Sequence, residues 1–302
     1  MFRTILFVPG INQRFIDKAK NLSADIICFD LEDSVPQGEK HIARKLIKEK
    51  LKEREHFRLT NNLYVRINSP DSGICSEDIL LLVQRGLDGI IVPKVNDEIE
   101  IANICSHITN LEEKKEIEKG HIKLMPSIET AKGVVNAYSI AKADPRINAL
   151  VFGVYDFLYD MRLDYIDTDG SGYMYARMKI PVDARAAGIL AIDSVWQKIN
   201  DIVGLKSDAV TAKRLGYCGK TIIHPNHIDP VNEVFMPSKM QVEWATKVVK
   251  ALEPVMCKGK GMGAIKLEGK MLDIVHYKHA KAILDIAGAG TTVCKENSAL
   301  DI

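Results

Sequence analysis

Short apolar runs of β-forming residues recur eight times along the chain, and each leads to a polar or charged residue. Arg3–Val8 runs into Pro9 and Gly10, and Asp25–Phe29 runs into Asp30, Glu32 and Asp33. Leu63–Val65 ends on Arg66, Gly89–Val92 on Pro93 and Lys94, and Ile122–Met125 leads to Glu129. Leu150–Phe152 leads through Gly153 to Asp156, Ile189–Ile192 ends on Asp193, and Thr221–Ile223 ends on His224. The runs lie roughly 20–40 residues apart, room for a helix between each pair. Eight strands alternating with helices predict an α/β fold, a (β/α)8 TIM barrel, whose strand C-termini form the active face. The polar strand ends then become one ring of side chains around one mouth.

Helical patterns fill the intervals: Gln13–Asn21, Lys40–Glu55, Ser76–Arg85, Asp97–Leu111, Thr130–Ala143, Tyr175–Ala187 and Ser207–Leu215. Lys40–Glu55 is strongly basic, but Ile42, Leu46, Ile47 and Leu51 give it an apolar stripe, so it reads as a solvated outer barrel helix. The 158–174 segment is rich in Asp and Gly and reads as a long loop at the catalytic end. These elements make a barrel domain of 1–237. A C-terminal extension, 238–302, follows. It holds a helix from Ser238 to Glu253, a hairpin lid at 261–273 turning at Glu268 and Gly269, and a terminal helix, Tyr277–Ala287. The small, polar tail from Gly288 reads as a frayed end.

Composition narrows the function. The 302 residues suit a barrel of about 250 residues with an extension. A net charge of +1 argues against a general nucleic-acid or membrane binder, so an anionic substrate needs a local positive site. No apolar stretch approaches the roughly 18 residues of a membrane span. The six cysteines form no C-x-x-C pair, and several sit in apolar runs. They read as free thiols of a cytoplasmic protein.

The candidate chemistry lies on the strand ends. Glu129 and Asp156 follow neighbouring strands, and two such carboxylates can share a hard cation such as Mg2+. Taken singly, Glu129 reads as a favourable helix-terminus charge and Asp156 as an N-cap. Arg66 and Lys94 can hold a carboxylate or stabilise an enolate oxygen, with a salt bridge to Asp30 or Glu32 as the alternative. Strand alternation puts Asp30 and Glu32 on one side and Asp33 on the other, orienting Arg66 and metal waters. Asp193 supports the site or caps a helix. His224 and His227 have a metal-pair spacing, but no third ligand is near, and a hydrogen-bonded structural His224 is the default. The Pro9–Arg14 loop precedes a helix carrying Arg14 and Lys18 one turn apart, a weak phosphate-binding signal.

Together these segments resemble the citrate lyase β-subunit-like branch of the HpcH/HpaI aldolase superfamily. The resemblance rests on RTILFVPG at 3–10 with Asn12, Arg14 and Lys18, DLEDSV at 30–35, VRIN at 65–68 and PK at 93–94. It continues through IETAKGVVNA at 128–137, VFGVYDFLYDM at 151–161, YARMKIPVDARAAG at 175–188 and AIDSV at 191–195. It ends with GYCGKTIIHPNHIDPVNEVFMPS at 216–238 and LEGKMLD at 267–273. The resemblance implies a Mg2+-dependent carbon–carbon lyase with the metal on Glu129 and Asp156 and Arg66 in the reacting centre. It implies an acyl-CoA or acyl-carrier thioester and a 2-oxo acid as reactants, with Arg14, Lys18 and Lys94 as candidate substrate or coenzyme contacts. Glu32 is expected to be a further catalytic residue, orienting Arg66 and the metal waters. Asp273, in the segment matching LEGKMLD, is expected to act at a thioester methyl in a neighbouring subunit, within a homotrimer or hexamer. Tyr155 and the Asp-rich 160–172 loop depart from the family pattern near the acid pocket, where they bear on the substrate rather than the reaction class.

Overall fold

The computed structural model describes residues 2–58, 61–164, 170–256 and 264–288. The chain divides into two compact units, Met1–Phe235 and Met236–Ile302. In the first unit the order is β1 (Thr4–Pro9), α1 (Gln13–Ala19), β2 (Ile26–Asp30), α2 (Lys40–Lys52), β3 (Asn62–Arg66) and α3 (Cys75–Leu82). Then come β4 (Gly89–Val92), α4 (Glu98–Lys114), β5 (Lys123–Ile128), α5 (Ala131–Val135), α6 (Ala137–Lys142), β6 (Ala149–Phe152) and α7 (Val154–Asp160). The unit ends with α8 (Ser171–Ala187), β7 (Leu190–Asp193), α9 (Ile202–Leu215), β8 (Gly219–Ile222) and α10 (Ile228–Phe235). Each strand pairs in parallel with the next, and β8 returns to β1, closing a TIM barrel.

The period-two alternation of the strands sorts the core into two layers. Ile5, Ile26, Cys28, Tyr64, Ile91, Met125, Val151 and Ile192 fill the barrel interior. Their neighbours Leu6, Ile27, Val65, Ile90, Leu124 and Leu150 face outward, under the helices. Continuing the inward series past the apolar plug brings Asp30, Arg66, Ser127 and Glu129 to the mouth. The basic helix α2 packs as an outer helix through Ala43, Ile47 and Leu51, while its buried Arg44 binds Asp78 of α3 at 2.6 Å.

Several element boundaries differ from those expected. Strand β5 runs on through Pro126 to Ile128, so Glu129 directly follows a strand. Strand β8 starts at Gly219, which places Lys220 inside a strand. The expected 130–143 helix is broken at Asn136 into α5 and α6. Helix α9 starts early because the Asp201 side chain accepts the Gly204 N–H. The expected 158–174 loop overlaps α7 and α8, and residues 165–169 lie outside the described residues.

The second unit holds α11 (Lys239–Met256), the antiparallel pair β9 (Ile265–Leu267) and β10 (Lys270–Leu272), and α12 (Ile274–Ile286). Glu268 and Gly269 both take positive φ, 46° and 81°, the two-residue turn that suits a twisted hairpin. Ala245, Val248, Leu252, Leu272, Tyr277 and Leu284 form its own core. Residues 261–263 of the expected hairpin segment and the tail from 289 lie outside the described residues. Among the described residues, no helix is long and apolar enough to cross a membrane.

Candidate active site

Asp30 at the end of β2 organises the mouth. One carboxylate oxygen accepts the Glu32 N–H and the other the Ser34 N–H, which turns the chain sharply after the strand. Buried Lys40 donates to the Leu31 and Glu32 carbonyls at 2.8 and 2.9 Å and locks the same turn. The chain is no longer extended here, so strand alternation does not govern Asp33. Asp33 reaches Arg66 Nη1 at 3.1 Å, from the side where Glu32 also lies, which corrects the expectation that it points away.

Arg66 on β3 is held from two directions. Its Nε and Nη2 make a two-point contact with Asp30 at 2.7 and 2.8 Å, and its guanidinium lies 4.7 Å from the Phe7 ring centroid. Nη1 lies 3.2 Å from Glu32 Oε2, which is buried and accepts no aligned hydrogen bond. Burial works to raise the Asp30 carboxyl, but the Arg66 charge overrides it and holds the group at about 2.

Lys94 has a left-handed backbone, φ 54°, and its N–H donates to Glu129 Oε2 at 3.1 Å. Its ammonium lies 2.5 Å from Glu32 and 3.2 Å from Asp156. The salt bridge to Glu32, one of the alternatives open for Lys94 in the sequence, is present. Glu129 is buried and accepts a 2.6 Å bond from the Ser127 hydroxyl, two residues back on the same face of β5. Its side chain lies against Gly153, where a Cβ would come within 2.3 Å of Glu129 Cγ. Asp156 sits in the first turn of α7. Burial, with the nearby Asp156 charge added, raises the Glu129 carboxyl. Burial also raises Glu32, opposed by Arg66 and reinforced by Glu129 and Asp33, to about 7. Lys94 and Arg66 both stay charged, held up by these carboxylates against burial.

Beside these groups lies a cavity of about 470 Å3 walled by Phe7, Pro9, Phe152, Val154, Tyr155, Val195 and Ile223, with Asp30, Arg66, Glu129, Asp156 and Ser194 among its polar lining. Tyr155 lies in this wall, partly buried, and burial raises its hydroxyl to about 12.

The remaining candidates of the first unit, Arg14, Lys18, Asp193, His224 and His227, do not line this cavity. Arg14 and Lys18 are exposed on α1. Asp193 is buried and accepts bonds from Lys220 and Arg177 at 2.6 and 2.7 Å, and both cations also bind Asp208. It is therefore a member of a buried ion network between β7, β8, α8 and α9, not a helix cap. This network escaped sequence reasoning because its four members are spread from 177 to 220. His224 Nδ1 accepts the Asn226 N–H, and His227 Nε2 donates to the Ile199 carbonyl, so both rings serve local structure. In the second unit Asp273 caps α12, with Oδ1 taking the Val275 and His276 N–H groups and lying 2.6 Å from His276 Nδ1. These bonds lower its carboxyl, the His276 side chain most. Ser127 also went unremarked in the sequence. The period-two rule finds it once β5 is extended to Ile128.

A closed parallel barrel with acids and an arginine gathered around one cavity at its strand C-termini is the active face of a TIM-barrel enzyme. The sequence pattern described as HpcH/HpaI aldolase/citrate lyase matches residues 3–225, and that of a carbon–carbon bond lyase of the TIM-barrel fold matches 164–289. The citrate lyase subunit beta of Leuconostoc mesenteroides is 36% identical over 99% of this chain and 97% of its own. A (3S)-malyl-CoA thioesterase of Cereibacter sphaeroides is 30% identical over 95% of each chain. The crystal structure of protein CitE from Mycobacterium tuberculosis, in complex with magnesium, acetoacetate and coenzyme A, is 26% identical with a TM-score of 0.77, over 95% of this chain and 98% of that one. The chain belongs to the HpcH/HpaI aldolase/citrate lyase family and is a carbon–carbon lyase.

Proposed function

We propose that this enzyme cleaves, or in reverse forms, a 3-hydroxy-3-carboxyacyl thioester such as citramalyl-CoA, malyl-CoA or citryl-CoA, giving an acetyl thioester and a 2-oxo acid. The observation that carries this reading is the surplus of acidic groups around one mouth: among the described residues, Asp30, Glu32, Asp33, Glu129 and Asp156 share Arg66 and Lys94 as their cationic partners. An all-oxygen donor set with excess charge fits a hard divalent cation, and Glu129 and Asp156 would hold Mg2+. Among the described residues no three His, Cys, Asp or Glu side chains form a ready ligand set. Two carboxylates completed by water and substrate oxygens is the usual arrangement for Mg2+. The magnesium, acetoacetate and coenzyme A of the M. tuberculosis relative support the same reading.

When bound, the cation supplies Lewis-acid polarisation of the substrate hydroxyl and its adjacent carboxylate. The protein's own residues do the rest. Arg66, already fixed by Asp30 and Phe7, stabilises the negative charge that develops on the thioester oxygen as the carbon–carbon bond breaks. Glu32 keeps Arg66 and Lys94 in place, and Lys94 balances the charge of Asp156. Asp273 handles the proton at the thioester methyl carbon, giving it up in cleavage and removing it in condensation, while the substrate hydroxyl loses its proton to water in cleavage and regains one from water in condensation. In a homotrimer or hexamer that Asp273 belongs to a neighbouring copy. Arg14 and Lys18 are the coenzyme phosphate contacts. The buried free thiols of Cys28, Cys75 and Cys105 suit a cytoplasmic enzyme.

A panel of citramalyl-, malyl- and citryl-CoA with Mg2+, read by the 2-oxo acid released, tests the proposal. Activity on one of them should vanish in Glu129→Ala and in Asp156→Ala while far-UV circular dichroism is unchanged. Full turnover by both variants in chelator would overturn the metal assignment. A second reading, the β subunit of a carrier-dependent citrate lyase, is favoured by the Leuconostoc relative. It predicts activity on citryl-acyl carrier and none on any CoA thioester. Release of free CoA thiol without acetyl-CoA would instead point to hydrolysis, the activity named for the Cereibacter relative.

A further inference from the structure

Helix α7 carries Asp156 in its first turn, yet its N-cap residue is Gly153, which makes no side-chain cap bond. The glycine is required, because a Cβ there would collide with Glu129 Cγ at 2.3 Å and Oε1 at 2.6 Å. The demand of one carboxylate for space thus removes the usual means of anchoring the helix that bears the other. An uncapped first turn leaves backbone N–H groups without partners. One of them, the Val154 N–H, is instead taken by the Ser194 hydroxyl at 3.1 Å, from the residue just after β7. Ser194 is 6% exposed and lines the active-site cavity. Its own position is set from below. Asp193 beside it is bound by Lys220 and Arg177, and the Asp193 carbonyl accepts the Thr221 hydroxyl at 3.1 Å.

We infer that Ser194 is a positioning residue for the metal site: its hydroxyl, just after β7, ties down the first backbone N–H of a helix that has no side-chain N-cap, and so holds α7 with Asp156 in register with Glu129. The inference rests on the Mg2+ reading given above. It assigns a purpose to the buried ion network, which then serves as the footing of a strut rather than as generic stabilisation. Ser194 touches no reacting atom in this role.

The test measures Mg2+ binding directly, by isothermal titration and by the metal-induced rise in Tm, in wild type, Ser194→Ala and Ser194→Thr. Support for a metal-binding carboxylate typically changes affinity on the order of tenfold or more. Ser194→Ala should bind Mg2+ about that much more weakly, with the Tm of the metal-free protein nearly unchanged. Ser194→Thr, which keeps the hydroxyl, should recover most of the affinity. Equal Mg2+ affinity in wild type and Ser194→Ala would overturn the strut and leave the magnesium reading standing. An equal fall in both variants would assign the effect to packing, and would overturn it too. Wild type that binds no Mg2+ would overturn the magnesium reading itself, and the strut with it.

Discussion

At the residue scale, the mouth of the barrel is governed by what each carboxylate is paired with. Asp30 is nearly wholly buried and carries Arg66 on both oxygens, so its carboxyl falls from 3.8 to about 2. A carboxyl lowered on folding contributes stability above its unfolded value, and the contribution is lost as pH falls through the folded value. Wild type should therefore lose about 2 kcal/mol from this group between pH 4 and pH 2. Urea unfolding across that window, with Asp30→Asn as the reference, should show a steeper decline in wild type; parallel declines would contradict the pairing. Arg66 gives the complementary prediction. Arg66→Lys keeps the charge but cannot bridge Asp30 at two points while lying flat on Phe7. Its kcat should fall at least tenfold with KM less affected, because charge stabilisation is needed most as the bond breaks. A raised KM at unchanged kcat would make Arg66 a plain binding residue.

At the scale of elements, the β6–α7 turn is packed tightly against the site. Glu129 lies over Gly153 on one side, and Ser194 reaches Val154 on the other. Gly153→Ala is predicted to push Glu129 aside, since the added methyl would meet its Cγ and Oε1. Overpacking of this kind costs about 1–3 kcal/mol. The variant should fold with a lowered Tm and lose most of the Mg2+-induced rise in Tm seen in wild type. An undiminished rise would mean that Glu129 is not the ligand. The same scale explains where sequence reasoning slipped. Alternation predicts sidedness only while the chain is extended, and Asp30 ends the extension by taking the Glu32 and Ser34 N–H groups. Pro126 hid the true length of β5, since it reads as a strand breaker although it sits in the ladder opposite Val92.

At the scale of the whole molecule, the barrel and the C-terminal unit each have their own core. Asp273 closes its helix through Oδ1 alone, and no bond to Oδ2 is seen among the described residues. Capping and proton transfer are therefore compatible in one side chain. If Asp273 works across a subunit interface, two inactive variants should complement. Mixed after subunit exchange, Asp273→Asn and Glu129→Ala chains should regain part of the wild-type rate, from sites that combine an intact Glu129 with a neighbour's intact Asp273. No recovery despite exchange verified by mass spectrometry would return Asp273 to its own barrel or to capping alone.

The spacing of apolar runs was enough to give the barrel, because a closed parallel sheet needs only eight strands of alternating sidedness with helices between them. Glu129, Asp156 and Arg66, picked out in the sequence by their place at or just past strand ends, do line one cavity. The sequence did not contain the pairings, for they join residues far apart along the chain. Asp30 meets Arg66, Glu32 meets Lys94, and Ser194 meets the Val154 amide only once the sheet has closed. Whether a charged residue serves catalysis or the fold depends on which opposite charge and which burial it finds there. That is why Asp193, another strand-end acid like Asp30, ends in an ion network outside the barrel while Asp30 faces the cavity.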